Sequence, residues 1–596
     1  MCGIYGYTQF QNKFPDSVLS AMESQQIHRG PDGAGVYTDE TYAIGMRRLS
    51  ILDLANGNQP FSNEDGSIIA ICNGELYNFK ELKKELSEKH GYTFKTTNDV
   101  EMLPALYEVY GSDCFSKING MFAIAIIDKK RGKLVLGRDR MGIKPLYYAM
   151  SAGDIFFASE LKSILNTGKV SREIDHVGMS SYLDLNWIPR PTTIFKNIKM
   201  VRSGHYLTYS ESGVEETSYW NPSTEPLDWS KEEFVQEYRK RLDRSIDYRL
   251  LSDVPVGAFL SGGADSSAIC ALAGSRREPF NAYHIRWNDI QGKMDEYEFA
   301  KELANRYNLN LQVREVTSID VIGMLPKLIY HMEEPIGDGA LIPTYLLSEI
   351  SKKEDTVILS GAGGDELFAG YRHHRNYSPV KSLVSKAVNG IGLYYSYYDK
   401  YRRRYFKEFK STFPHYQSKP QQKEVDALFK AQKHSDFPNA MMRSDVQWYL
   451  QDDILFLTDK MSMAASIECR VPLLDHTLVE LSLQTPSEFK LSSEMKKPLL
   501  YEATKDVISE DYFTRKKEGF GFPIWYFIDT FRDEYFDKLL RNSRLQMAGY
   551  IDSARLSTLL QKRKMSMHEY NLYWQTLIFE IWWRLFIEGD SPEEIW

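Results

Sequence analysis

Cysteine is scarce in these 596 residues. The five present, Cys2, Cys72, Cys114, Cys270 and Cys469, lie far apart with no CxxC spacing and are too few to staple a chain of this size. Four of them read as small buried residues; Cys2 stands apart by its position. No run of about 18 apolar residues exists that would span a bilayer. The opening MCGIYGYTQF lacks a basic segment followed by an apolar one, so a cytoplasmic protein is expected. Positive charge is not in excess either: the net charge of −8 argues against a nucleic-acid partner. There is no internal repeat, no low-complexity tract and no GxxxxGK[ST] phosphate loop.

What is present is an ordinary globular composition, 43% hydrophobic and 26% charged, in a chain too long for one core. The first part reads as β-rich, with apolar runs at 67–72, 121–127 and 133–136 and one helix near 78–89. The polar stretch 225–230 separates it from a helical pattern over 231–250. Domains over 1–220 and 231–596 are therefore expected. Beyond the boundary, strands at 255–260, 282–287 and 357–359 alternate with a helix at 266–273 and glycine turns, the order of a parallel α/β sheet whose ligands sit at the carboxyl ends of the strands. The aromatic, basic stretch YYSYYDKYRRRYFKEFK within 378–436 reads as a helical face with buried tyrosines. The tryptophan-rich 574–583, with Glu580 and Arg584 at helical spacing, reads as a packed closing helix rather than an anchor.

Two sites carry chemistry. After removal of Met1, Cys2 would hold a thiol and an α-amine in one residue, pairing a nucleophile with a base that titrates near 7.7–8.0. Downstream follow His28-Arg-Gly-Pro-Asp-Gly33, Arg48-Leu-Ser50, Asn73-Gly-Glu75, Asp99 and Gly137-Arg-Asp-Arg-Met-Gly-Ile-Lys-Pro-Leu146. In this order they resemble the class II glutamine amidotransferases, over roughly the first 200 residues. The resemblance implies an N-terminal-nucleophile fold, an α+β sandwich of antiparallel sheets. It implies Cys2 attacking the glutamine amide, Asn73 and the Gly74 N–H as the oxyanion hole, Arg48 on the α-carboxylate, Asp99 on the α-ammonium, and Glu75 ordering the loop.

Second, Ser261-Gly-Gly-Ala-Asp-Ser-Ser267 follows a strand and opens a helix, where backbone N–H groups and the helix dipole hold an anion. SGGxDS resembles the pyrophosphate loop of ATP pyrophosphatases. With Ser360-Gly-Ala-Gly-Gly-Asp-Glu366 and the motif 459–475 it resembles the asparagine synthetase domain. That resemblance implies ATP framed by Leu260, Ser261, Gly262, Gly263, Asp265, Ser266, Ile285, Ser360 and Gly361, with Mg²⁺ on Asp265 and Asp365. Lys497, placed by the Lys-x-x-Leu pattern beside Lys496, would neutralise the α-phosphate, and Arg470 would support it. A homodimer is implied by the family.

One position departs from the pattern. Asparagine synthetases usually read Ser-Gly-Glu-Gly where this chain has Ala362, so an acid/base carboxylate typically worth about 10²–10⁴-fold is absent there. Either Glu366, Glu333 or Glu334 substitutes, or the acceptor is not aspartate. Aspartate amidation is the first expectation and a sugar or secondary-metabolite acid the second. A phosphoribosyl amidotransferase is argued against by SGGADSS, and a scaffold without catalysis by the intact Cys2, Asn73 and Asp265. His373 and His374 have no third ligand at sequence spacing, so they read as structural.

Overall fold

The computed structural model describes residues 2–288, 296–375, 405–417, 436–515 and 521–596. Most of the aromatic, basic stretch lies outside these; its described end, the helix Tyr405–Thr412, packs Phe409 against Phe413 and Tyr416.

The first 220 residues form two stacked six-stranded sheets. One runs Ile198–Met200, Tyr147–Ser151, Asp154–Ala158, Cys2–Thr8, Tyr42–Arg48, Gly33–Thr38; the other runs Gly213–Ser218, His205–Ser210, Lys133–Arg138, Gly120–Asp128, Ile68–Leu76, Phe61–Ser62. Every pairing is antiparallel. The strand Ile68–Leu76 is buried at all nine positions, and its period of two explains why. Ile69 and Ile71 meet Ile4, Ile44 and Met46 of the facing sheet, whereas Ile68, Ala70 and Cys72 meet Leu82, Leu86, Leu103 and Leu106 of an outer helical layer. On the opposite outer face, Val18, Leu19 and Met22 cover Tyr5 and Tyr7. The result is a four-layer sandwich, helix outside sheet on both sides.

More than one helix interrupts the strands, contrary to the sequence reading. Asp16–Ser24, Leu103–Tyr110 and His176–Leu185 join the expected one at Phe79–His90. In His176–Leu185 the eight residues from Gly178 to Leu185 are all buried, so no polar face alternates with the apolar one to betray it. Its start is nonetheless written locally, because the Asp175 side chain accepts from the N–H groups of Val177 and Gly178.

The second region opens on the helix Lys231–Arg249, where Ser230 and Glu233 form a capping box. Its five-stranded sheet is wholly parallel, in the order Asn310–Val316, Asn281–Trp287, Val256–Phe259, Val357–Leu359, Glu468–Arg470. Val256–Phe259 is flanked by a strand that follows it directly and by one about 100 residues later. That is a switch in strand order, which opens a crevice at the carboxyl ends. The loops leaving Phe259 and Leu359 are the two glycine turns, so the fold sets them side by side. The closing helix is Met567–Trp583, with Glu580 fully buried and bonded to Arg584 at 2.8 Å. Its indole N–H groups on Trp574 and Trp582 donate to the carbonyls of Gly337 and Glu333, at 3.0 and 2.8 Å. Among the described residues no helix is long and apolar enough to cross a membrane.

Candidate active sites and the buried charges between them

Cys2 begins the strand that pairs with Tyr42–Arg48, directly opposite Arg48. Its backbone nitrogen donates to Asn73 Oδ1 at 3.1 Å, while Asn73 Nδ2 donates to Ser159 Oγ at 3.2 Å. Were Met1 removed, this nitrogen would be the α-amine, held by the Asn73 amide oxygen. Burial pushes the Cys2 thiol up, opposed by the Leu49 N–H and the nearby Arg48 charge. Gly74 has φ +151°, and a Cβ there would lie 1.9 Å from the Met121 carbonyl oxygen, so only glycine fits this turn of the strand.

Arg48 is buried, and its terminal nitrogens donate to the carbonyls of Leu52, Asp53 and Leu54 and to Asn58 Oδ1, at 2.7 to 3.3 Å. The loop after it is thus wrapped on the guanidinium, close enough that a Cβ on Gly57 would lie 2.2 Å from Arg48 Nη2. Asp99 is buried and accepts from the Leu76 N–H at 2.8 Å. The six residues predicted for this site come together from four separate segments.

Burial pushes the Asp99 carboxyl up to about 6, against the pull of the Leu76 N–H. Below that pH the native carboxyl is protonated and could no longer hold an ammonium. In a Cys2→Ala protein, the Kd for glutamine should therefore weaken about tenfold per pH unit below pH 6; a flat profile would remove Asp99 from glutamine recognition. The same shift makes Asp99 cost stability as pH rises from about 4 to 6, because the unfolded carboxyl releases its proton first.

In the second region the Ser261 and Ser266 hydroxyls bond each other at 2.9 Å, and Gly262 takes φ +83°. The N–H groups at the start of the helix Ala264–Gly274 face the turn at 360–364. Glycines permit this approach: a Cβ on Gly361 would meet the Ser266 nitrogen at 2.8 Å, and one on Gly364 would meet Asp265 Oδ1 at 2.3 Å. Lys497 is 4% exposed and joins both turns, contacting Asp265 Oδ2 and reaching Asp365 Oδ1 at 2.6 Å. Burial would lower its pKa, yet the two carboxylates raise it. Its neighbour Lys496 points away, donating to the Arg515 carbonyl. The paired carboxylates form an all-oxygen donor set of the kind Mg²⁺ takes. Leu260 precedes this turn and its carbonyl lies 2.8 Å from His284 Nδ1, a buried contact that no sequence signal marked.

Comparison with known proteins agrees with both halves. Residues 1–220 match the glutamine amidotransferase domain and residues 237–584 match asparagine synthase. The chain is 32% identical to the glutamine-hydrolysing asparagine synthetase 1 of Bacillus subtilis, covering 100% of this chain and 98% of that one. The chain belongs to the asparagine synthase family. A putative asparagine synthetase of Mycobacterium tuberculosis is 28% identical over 97% of the chain and 95% of its own length. Amidase chyE of Penicillium rubens is 28% identical over 93% of each. The protein is thus a glutamine-hydrolysing amidotransferase of the asparagine synthase type.

In this member of the family the motifs of the two halves are charge partners of one another. Arg29 donates through Nε to the Cys2 carbonyl at 3.1 Å, and binds Glu160 at 2.8 Å and Asp459 at 2.9 Å. Lys144 reaches Asp459 at 3.3 Å, Lys460 binds Glu160 and Glu333 at 3.0 and 2.5 Å, and Lys162 binds the same two glutamates. Arg470 binds Glu468 at 2.6 Å and reaches Glu75 at 3.4 Å, with its remaining donors on the carbonyls of Arg249 and Leu251. The Arg470 side chain therefore serves the junction with the glutamine site, not the phosphate turns as expected. Only its carbonyl touches them, accepting from Ser360 at 2.8 Å.

Arg29→Met should leave the buried Glu160 and Asp459 short of a cation and cost about 3–5 kcal/mol. A lowered midpoint for thermal unfolding checks this; an unchanged one would mean Lys460, Lys162 and Lys144 neutralise the cluster unaided.

Proposed function

We propose that this chain converts aspartate to asparagine with glutamine, ATP and Mg²⁺, releasing AMP and pyrophosphate, in two modules spanning 1–220 and 231–596. The observation that carries the reading is Lys497, held between Asp265 and Asp365 where the two glycine turns meet at the carboxyl ends of a parallel sheet. A carboxylate is a poor electrophile and an acyl-adenylate a good one. The backbone N–H groups of Ser261 to Ser266 would bind the leaving pyrophosphate, Asp265 and Asp365 would hold Mg²⁺, and Lys497 would stabilise charge on the α-phosphate as the bond to pyrophosphate breaks. Leu260, Ile285, Ser360 and Gly361 would frame the nucleotide.

At the other site Cys2 would attack the glutamine amide after passing its proton to the α-amine. Asn73 and Gly74 would bind the oxyanion, Arg48 and Asp99 the amino-acid end, and Glu75 would support the loop. Ammonia must pass inside the protein, because at neutral pH in bulk water it is mostly protonated and has no lone pair with which to attack. The buried residues joining Cys2 through Arg29 to Asp459 support direct packing of one site on the other.

Ala362 favours a second reading, amidation of another carboxylate. Of the three candidate substitutes, Glu333 accepts from the N–H groups of Leu161 and Lys162 and from Lys460. Glu334 is bound to Arg190 and to the Ile194 N–H. Both are committed to the junction. Glu366 stands in the turn itself, buried, accepting from the Tyr371 hydroxyl at 2.5 Å, its carboxyl pushed up to about 8 by burial and by Asp365. A relative bearing the name amidase supports keeping this reading. Product analysis by mass spectrometry with glutamine, MgATP and aspartate decides between them. Asparagine, glutamate, AMP and pyrophosphate together are expected; glutamate without asparagine or AMP would exclude aspartate as the acceptor.

A further inference from the structure

His373 and His374 lack a third ligand in sequence, but the fold supplies one. They sit on the short helix Arg372–Arg375 that follows the second glycine turn, facing Asp445 on the helix Phe437–Gln447. Both imidazole Nε2 atoms lie 2.7 Å from the same oxygen, Asp445 Oδ2, with the rings 4.3 Å apart at 65°. Consecutive residues on a helix do not share a face, so bringing both rings to one carboxylate oxygen takes a specific arrangement of the two helices. His374 and Asp445 are fully buried, while His373 is partly open and leaves a way in. His374 Nδ1 is buried with no hydrogen-bond partner.

We propose that His373, His374 and Asp445 bind a first-row divalent transition ion of the zinc class, at a site separate from the Mg²⁺ position on Asp265 and Asp365. Two imidazoles and one carboxylate are a nitrogen-rich donor set that suits such an ion, whereas Mg²⁺ takes oxygen ligands almost alone. Three protein ligands leave a fourth position for water or a substrate group, as in open zinc sites.

The site also has a place in the architecture. Tyr371 stacks on His373 with ring centroids 5.2 Å apart at 15°, and its hydroxyl bonds Glu366. An ion here would pin the segment that leaves the Asp365–Glu366 turn to the helix that carries Asp445, bracing the turn from behind.

The test is Co²⁺ titration of the full-length protein after chelation, followed by displacement with Zn²⁺. The expected result is one equivalent of Co²⁺ with the visible absorption of a histidine-ligated ion, bleached by Zn²⁺, and a thermal midpoint raised by Zn²⁺. His374→Ala and Asp445→Asn should abolish both signals, and Asp365→Asn should keep them. Should the buried variants fail to fold, His373→Gln, at a partly exposed position, reports in their place by losing the absorption. Wild-type protein with no absorbing equivalent, equal binding by the His373→Gln variant, or loss of the signal in Asp365→Asn would overturn the proposal; the cluster would then be a hydrogen-bonded pair of rings, or part of the Mg²⁺ site.

Discussion

Cys2→Ala is expected to lower glutamine-dependent amide synthesis by about 10⁴ or more while leaving synthesis from added ammonia unchanged. The size follows from chemistry that no neighbour can replace. Among the described residues the other cysteines, Cys72, Cys114, Cys270 and Cys469, are all buried, and their thiols are pushed up by burial. None can serve as a second nucleophile. The retained ammonia activity is the informative half, since the role proposed for the Cys2 side chain lies in the glutamine site alone. Initial rates with each nitrogen source, measured on one preparation, check it. Equal loss with both sources would mean that the strand Cys2–Thr8 had failed to pack, because it is central in its sheet and its carbonyl anchors Arg29.

Lys497→Met is expected to do the reverse. Amide synthesis should fall by about 10³ or more with either nitrogen source, and glutamine hydrolysis should persist. Removing the ammonium takes away the cation that bridges Asp265 and Asp365, the group proposed to face the departing phosphate. Lys496→Met, one residue away, should retain activity, because that amine is turned to the Arg515 carbonyl. Pyrophosphate release measured for both variants separates the two lysines. A dead Lys496→Met beside an active Lys497→Met would move the phosphate contact by one residue and undo the assignment.

The two lysines show where sequence reasoning stops. Either could satisfy a Lys-x-x-Leu pattern within an error of one, and what separates them is backbone conformation: Lys497 takes φ +51° at the cap of the helix Pro498–Thr504, which sends its side chain toward the two turns. Ala362 is a comparable case. Its departure from the family pattern was legible at once, but that Glu333 and Glu334 are tied to the junction and Glu366 is not could be read only once their partners, 127 to 172 residues distant in the chain, were known.

Local residue pattern was enough to specify the motifs of both sites and the element types that hold them. Continuous apolar runs at 67–72 and 121–127 marked the strands Ile68–Leu76 and Gly120–Asp128, and Val357–Leu359 was bounded to the residue, because burial on both faces leaves an unbroken apolar run between polar breaks. Glycines at 74, 262, 361 and 364 marked backbone that a Cβ would obstruct. Which charges meet is set by packing. Arg29, Lys144, Asp459, Lys460 and Arg470 all lie in motifs visible in the sequence, yet as isolated letters each is most simply a surface charge. Buried ions are tolerated only in opposite pairs, and that rule selects the partners when the two halves pack. The pairing of His373 and His374 with Asp445 has the same origin: the ligands converge because two helices cross, and crossing is a property of packing that no local spacing records.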